Sequence, residues 1–445
     1  MRTYESVGVG IPELLLPRKS VDLTKWAVVA CDQYTSQPEY WDRARQFVGD
    51  APSTLNLIYP EVYLGEAKAE ERIKSIRSKM IEYLDGRILE PHEGLVYVER
   101  EAAGKVRKGI VLCIDLENYD YRKGATSLIR ATEGTILERI PPRVRIREGA
   151  KLECPHIMIL IDDPENTVIG PLSANKRSLP LLYDFDLMMK SGRLAGYKVS
   201  DEALEKGVIR ALDGLADSTR FAKKYGLPGN VPVLLFAMGD GNHSLATAKA
   251  IWEKTKERAA DKHAVMGSPA RWALVEIVNL HEAALAFEPI HRVIFAARSG
   301  RDLLNEMKSH YLGRFQYEKV ISVDTMKSRV HASEPGRQRI GVIRPAELGV
   351  IEITKPPSNL AVGSLQLFLD KFMESGGAEK IDYVHGTEPV VELGRQEKNI
   401  GFYLPSMNKY DLFKTVIVDG ALPRKTFSMG EAAEKRFYME CRRIG

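Results

Sequence analysis

Apolar and polar residues along this chain fall into short runs whose period changes repeatedly. Residues 26–31 form a continuous apolar run that stops at Asp32, as a short buried strand would. A helix is predicted to follow near Pro38-Glu39-Tyr40-Trp41. Residues 67–85 carry Ile73, Ile76, Met80 and Leu84 at helical spacing on one face. Residues 95–99 and 109–114 read as strands around the polar turn Ala102-Ala103-Gly104-Lys105, a hairpin pattern. Residues 157–161, 231–238 and 272–278 are apolar throughout, which predicts strands buried on both faces. Near Arg298-Ser299-Gly300 the pattern restarts, with helices over 303–311 and 364–374 and strands over 339–343 and 349–354. The expected fold is therefore α/β, an α+β arrangement on a mixed sheet. It is divided into a core over 1–297 and a second α/β lobe over 298–445. The closing segment, 422–444, is rich in Lys, Arg and aromatics and is expected to return to the site in the core.

Composition narrows the class. A chain of 445 residues with 44% hydrophobic and 28% charged residues is globular and large enough for two or three packed domains. The net charge of +4 is too small for a protein that lives on nucleic acid, so such a partner is disfavoured. Cys31, Cys113, Cys154 and Cys441 lie far apart in sequence with no CxxC pair, against a disulfide framework or structural zinc. No signal-peptide pattern opens the chain, and no apolar stretch is long enough to span a bilayer. A cytoplasmic location is expected. A homodimer is compatible with the sequence, which sets no oligomeric state.

The strongest chemical signal follows the run ending at Met238. The chain enters Gly239-Asp240-Gly241-Asn242-His243-Ser244, and Leu245 onward places apolar residues at helical spacing. A strand, a glycine turn and a helix start in that order suit an anion. Glycine permits positive φ and close approach of the backbone, and the free N–H groups and positive dipole end of the helix attract phosphate. Asp240 is placed to hold Mg²⁺ or accept a proton, and His243 to donate to a phosphate oxygen or neutralise it. A plain helix cap would explain an Asp or Asn after glycine. Two glycines, an acid, an amide and an imidazole together exceed what a cap needs.

Other clusters are less specific. Arg130, Thr132 and Glu133 combine a cation, a hydroxyl and an acid suited to a polar or anionic ligand, or simply to a surface salt bridge with a capping threonine. Arg143, Arg145 and Arg147 would share one face of a strand, and an exposed edge strand guarded by charge and proline explains them better than a phosphate surface. His291 and Arg292 form a pair that is more often structural. Arg424 and Lys425, beside Thr426 and Ser428, make either an anion clamp or a solvated loop. Asp32, at a strand end, is a candidate general base. Cys31 beside it lacks any histidine partner that sequence can place, so a thiol nucleophile is disfavoured. The chain contains no Walker loop, no G-x-G-x-x-G after a strand, no H-E-x-x-H and no protein-kinase catalytic loop, which disfavours P-loop and Rossmann nucleotide binding.

Five boxes occur in an order that resembles the bacterial and archaeal domain-of-unknown-function family DUF1015 over almost the whole chain. They are Val29-Ala30-Cys31-Asp32-Gln33-Tyr34-Thr35, Ile129-Arg130-Ala131-Thr132-Glu133, Gly239-Asp240-Gly241-Asn242-His243, Pro289-Ile290-His291-Arg292 and Pro423-Arg424-Lys425-Thr426-Phe427-Ser428. The family's core box usually reads Asp-Gly-His-His-Arg. It is similar to the box of ParB/sulfiredoxin-like proteins, including free-serine kinases. The resemblance implies a ParB/sulfiredoxin-like core and a kinase-type transfer of phosphate to the hydroxyl of free L-serine or a similar small molecule. The donor would be ATP, ADP or pyrophosphate, with Mg²⁺ near Asp240. Asp240 and His243 carry over directly, and Asp32 or Glu133 would serve as base. Gly239, Gly241, Asn242, Ser244, Arg130, Thr132, His291, Arg292, Arg424, Lys425, Thr426 and Ser428 are the expected phosphate and substrate contacts. Ser244 replaces the box arginine, so Arg130, Arg292 or Lys425 is expected to supply the missing cation. Hydrolysis of a phosphoester or nucleotide at the same site, or a nucleotide- or DNA-binding regulatory module, are the competing readings.

Overall fold

The apolar stripe within 67–85 becomes the helix Ala69–Asp85, which buries Ile73, Ile76, Met80 and Tyr83. Ala103 and Gly104, with φ of 49° and 73°, close a two-residue turn between the strands Leu95–Ala102 and Lys105–Asp115. Positive φ at both turn positions matches the twist of the strands they join. The computed structural model describes residues 1–332 and 334–445, in two units: 1–285 with 431–445, and 286–430.

The first unit is built on a mixed eleven-stranded sheet. Trp272–Asn279 is antiparallel to Lys105–Asp115 and parallel to Met158–Ile161. Met158–Ile161 is in turn antiparallel to Phe236–Asp240, which lies parallel to Ile129–Arg130. Alternate residues serve opposite faces: Val96 and Val98 enter one core, Leu95 and Tyr97 the other. Both faces are covered, which is why these strands read as unbroken apolar runs rather than alternating ones.

The last fifteen residues belong to this unit. Phe437 and Tyr438 pair with Val29 and Val28, and Arg442 and Arg443 pair with Glu153 and Leu152. Trp26 Nε1 donates to the Met439 carbonyl at 2.9 Å, and the Cys154 and Cys441 thiols lie 2.9 Å apart. The tail is thereby joined to the two segments that lead into Asp32 and His156.

The second unit has its own seven-stranded sheet, in which Phe287–Phe295 pairs with Lys380–His385, Ile400–Tyr403 and Phe427–Met429. The helices Leu303–His310 and Ala361–Glu374 supply Leu303, Met307, Leu365 and Phe368 to its core. The division falls at 285/286 rather than at 297/298, because Phe287–Phe295 hydrogen-bonds within the second sheet. Residues 431–445 rejoin the first unit through their own pairings.

Local readings also change. Residues 140–147 form a helix, not a strand, and proline in its first turn supplies the fixed φ and the missing N–H that a helix start tolerates. Arg143 and Arg147 accordingly lie four residues apart on a helix instead of alternating along a strand. Of the run 231–238, only its end enters a strand, Phe236–Asp240. Of the run 26–31, only Val28–Val29 does. Among the described residues no helix is long and apolar enough to cross a membrane.

Candidate functional site

Phe236–Asp240, an interior strand, delivers its last residue to one end of the first sheet, and the helix Asn242–Arg258 begins directly afterwards. Gly241 makes the reversal with a φ of 78°. A Cβ at this position would sit 3.0 Å from the Ile157 main chain, so the turn needs glycine both for conformation and for space. Asp240 Oδ1 accepts from the Gly241 N–H at 3.0 Å, and Oδ2 lies 3.2 Å from Lys435 Nζ. Lys435 is buried, and a buried ammonium is tolerated only when paired.

The neighbouring strand brings in a second charged pair. Met158 faces Asp240 in antiparallel register, so His156, two residues earlier, reaches the same end of the sheet. His156 Nε2 is 3.6 Å from Asp32 Oδ2 and 3.4 Å from Ser244 Oγ, while Nδ1 is 2.7 Å from the Tyr438 hydroxyl. The Tyr438 oxygen also accepts from the Cys31 N–H at 3.1 Å. Burial by itself would raise the Asp32 carboxyl. The charge and hydrogen bond of His156, with Gln33 donating and Lys435 nearby, overcome this and hold it well below the usual carboxylate range. Burial works against a charged His156, yet Asp32, Asp240 and Glu61 together raise its pKa above 6.5. The result is an alternating cluster of two carboxylates and two cations at a helix N-terminus.

A cavity of about 140 Å³ adjoins this cluster. Cys31, His156, Ser244 and Tyr438 form part of its wall, and Leu57, Ile76 and Met80 contribute apolar surface. Two ion pairs also line it. Arg143 Nε donates to Glu61 Oε1 at 2.8 Å, and Arg147 pairs with Glu153.

The remaining expected residues divide clearly. Asn242 lies beside the Arg130 box, with its amide nitrogen 3.4 Å from both the Glu133 carbonyl and Thr135 Oγ1. Thr132 Oγ1 donates to the Met238 carbonyl at 2.8 Å, which steadies the strand into the turn. His243 stands in the first helical turn, and its carbonyl accepts from Thr247 Oγ1. Arg130 does not supply the missing cation by any described contact. Its guanidinium donates to the carbonyls of Ser127, Pro232 and Val233, and burial lowers its pKa to about 10. His291, Arg292, Arg424, Lys425, Thr426 and Ser428 all lie in the second unit. His291 Nδ1 accepts from the Leu404 N–H at 3.1 Å, and Arg292 donates to the carbonyls of Lys425 and Arg424 at 2.8 and 2.9 Å. Arg424 pairs with Asp370, Thr426 donates to the Pro423 carbonyl and Ser428 to that of Gly430.

Sequence reasoning missed His156, Lys435, Tyr438 and Glu61. The basic, aromatic character of 422–444 was the one visible trace of Lys435 and Tyr438. His156 stood in plain view two residues before a buried strand, but nothing local shows which strand lies beside it.

A family model described as a protein of unknown function, DUF1015, matches residues 15–422. The chain belongs to the DUF1015 family. No curated protein matches this DUF1015 chain. Among solved structures it is similar to a free serine kinase in complex with AMP, with a TM-score of 0.37 and 10% identity, over 76% of this chain and 93% of that one. A conserved hypothetical protein from Pyrococcus furiosus gives a TM-score of 0.37 and 9% identity, over 77% and 97%. SbnI with a C-terminal truncation, from Staphylococcus aureus, gives 0.34 and 8%, over 72% and 82%.

Proposed function

We propose that this protein is a phosphotransferase that moves a phosphoryl group from a nucleotide or pyrophosphate donor to the hydroxyl of a small molecule, with free L-serine as acceptor and O-phosphoserine as product. The observation that carries the reading is the meeting of Asp240, Lys435, Asp32 and His156 at the start of the helix Asn242–Arg258, beside a cavity of small-molecule size. Phosphoryl transfer needs in-line positioning and neutralisation of spread negative charge more than covalent chemistry by the protein. The helix N–H groups and Lys435 provide fixed positive charge for the donor phosphates. Lys435, not Arg130, takes the part left open by Ser244. Asp32, kept ionised by its surroundings, accepts the proton of the attacking hydroxyl, and His156 holds that carboxylate in place.

Magnesium fits this arrangement only together with donor phosphates. Among the described residues no three His, Cys, Asp or Glu side chains converge as a metal site. Mg²⁺ ordinarily keeps waters and takes one or two carboxylates plus substrate phosphates, so Asp240 would hold it. The ion would neutralise phosphate charge.

Phosphorus NMR on the purified protein with L-serine, Mg²⁺ and ATP, ADP or pyrophosphate in turn tests the reading. A phosphoserine resonance with one donor is the expected result. Donor breakdown that ignores the acceptor would favour the hydrolase instead, and no reaction with any donor across a metal series would sink the proposal.

A further inference from the structure

Glu61 and Glu153 both line the cavity and both pair with an arginine of the helix Ile140–Arg147, yet their pKa values shift in opposite directions. Glu153 meets Arg147 on one oxygen and Arg442 on the other. Burial pushes its pKa up, but the two guanidinium groups more than cancel this and it ends below the usual value. Among the described residues Glu61 hydrogen-bonds to one cation, Arg143, whose Nε and Nη2 both contact the same oxygen, Oε1. Another donor of Arg143, Nη1, goes to the Arg139 carbonyl at 2.7 Å. Burial raises the Glu61 pKa, Arg143 and, more weakly, His156 offset part of that, Asp32 adds to it, and the carboxyl remains above the usual value. Glu153 is compensated as a structural carboxylate would be. Glu61 is left short of positive charge on the wall of a cavity, where a ligand cation would restore the balance.

Its position suits an acceptor. The Glu61 N–H donates to the Cys31 carbonyl at 2.8 Å, which ties it to the residue before Asp32. Its charge acts on both Asp32 and His156. We infer that Glu61 binds the ammonium group of an amino-alcohol acceptor, using its second carboxylate oxygen, while the acceptor's hydroxyl faces Asp32. The inference rests on the phosphotransfer reading and narrows its acceptor to alcohols that carry a nearby cationic amine. A bare aliphatic alcohol or a hydroxy acid would fill the same volume but leave Glu61 under-compensated.

The test compares acceptors that differ by one group. L-serine, ethanolamine (no carboxylate) and 3-hydroxypropionate (no ammonium) are assayed with the donor that supports turnover, in the wild type and in Glu61→Gln. L-serine and ethanolamine should exceed 3-hydroxypropionate in kcat/KM by roughly 10- to 100-fold, the scale of one hydrogen bond to a charged group. The difference should sit mainly in KM, and Glu61→Gln should shrink the preference at least about tenfold. The wild-type series decides the matter even if the variant fails to fold. If 3-hydroxypropionate serves as well as L-serine, or if Glu61→Gln keeps the wild-type preference, the ammonium site is wrong while the phosphotransferase reading stands. If no alcohol is phosphorylated with any donor, the phosphotransferase reading fails and the ammonium site fails with it.

Discussion

Lys435 of the first unit directs its ammonium at the Asp240 carboxylate, whereas Arg292 of the second directs its guanidinium at the main-chain carbonyls of Lys425 and Arg424 and at Gln366. Both cations are buried, Lys435 at 6% exposure and Arg292 at 0%. A cation paired with a carboxylate at a helix N-terminus can exchange part of that pairing for a ligand phosphate. A planar fork filled by carbonyls closes a loop and keeps little donor capacity for a ligand. Both residue types looked suitable as phosphate ligands in the sequence, and their partners separate them.

The largest expected effect breaks this comparison most directly. Lys435→Met should lower turnover about 10²- to 10³-fold, the scale for loss of one transition-state charge donor. Arg292→Met should instead lower stability by about 1–3 kcal/mol, through carbonyls left without a donor, and spare turnover. Steady-state kinetics and urea unfolding on both variants check it. Equal loss of turnover in the two would abolish the distinction. Asp240 is better probed as Asn than as Ala, since removing its oxygens leaves a buried ammonium uncompensated, at a cost of about 3–5 kcal/mol.

The two regions should also differ in pH response. His156 has a raised pKa, so its ion pair with Asp32 contributes fully below about 6.5 and is lost as pH rises through the raised value. The lowered Asp32 pKa sets the acidic limit: its contribution is full above the usual carboxylate value and is lost progressively as pH falls below that value toward the lowered one. His291 runs the other way. Burial, with Arg292 next to it, pushes its pKa down to about 3, so its contribution is full above 6.5 and declines as pH falls toward 3. Unfolding free energy measured against pH for His156→Gln and His291→Gln should therefore lose opposite limbs of the wild-type profile. Loss of the same limb in both would contradict the assigned environments.

The smallest effect concerns Tyr438. Its hydroxyl touches His156 Nδ1, so Tyr438→Phe removes a positioning contact and leaves the charges in place. A few-fold fall in turnover and about 1 kcal/mol of stability are expected. A variant with unchanged kinetics would show that Tyr438 does not position His156.

The glycine turn was legible because its demands are local. Gly241 needs positive φ, Asp240 ends an apolar run, and helical spacing begins at once. The hairpin, the stripe of Ala69–Asp85 and the mixed α/β class were legible for the same reason. Residues 140–147 form a helix although their three alternating arginines satisfy a strand pattern equally well; the local mark of the helix is the proline pair in its first turn. The unit boundary was misjudged because strand partners, not loop composition, place Phe287–Phe295 and the chain's last residues.

By itself the sequence determined that a strand, a glycine reversal and a helix N-terminus would present Asp240, and it placed the chain in its family through five ordered boxes. Only the tertiary structure decided which charges meet that carboxylate. Lys435 and His156 arrive through the register of Phe437 against Val29 and of Met158 against Asp240. Register is set by packing on both faces of a sheet, where a shift of one residue would turn every side chain to the wrong core. A linear pattern shows that a strand has two buried faces, but not which strand lies beside it.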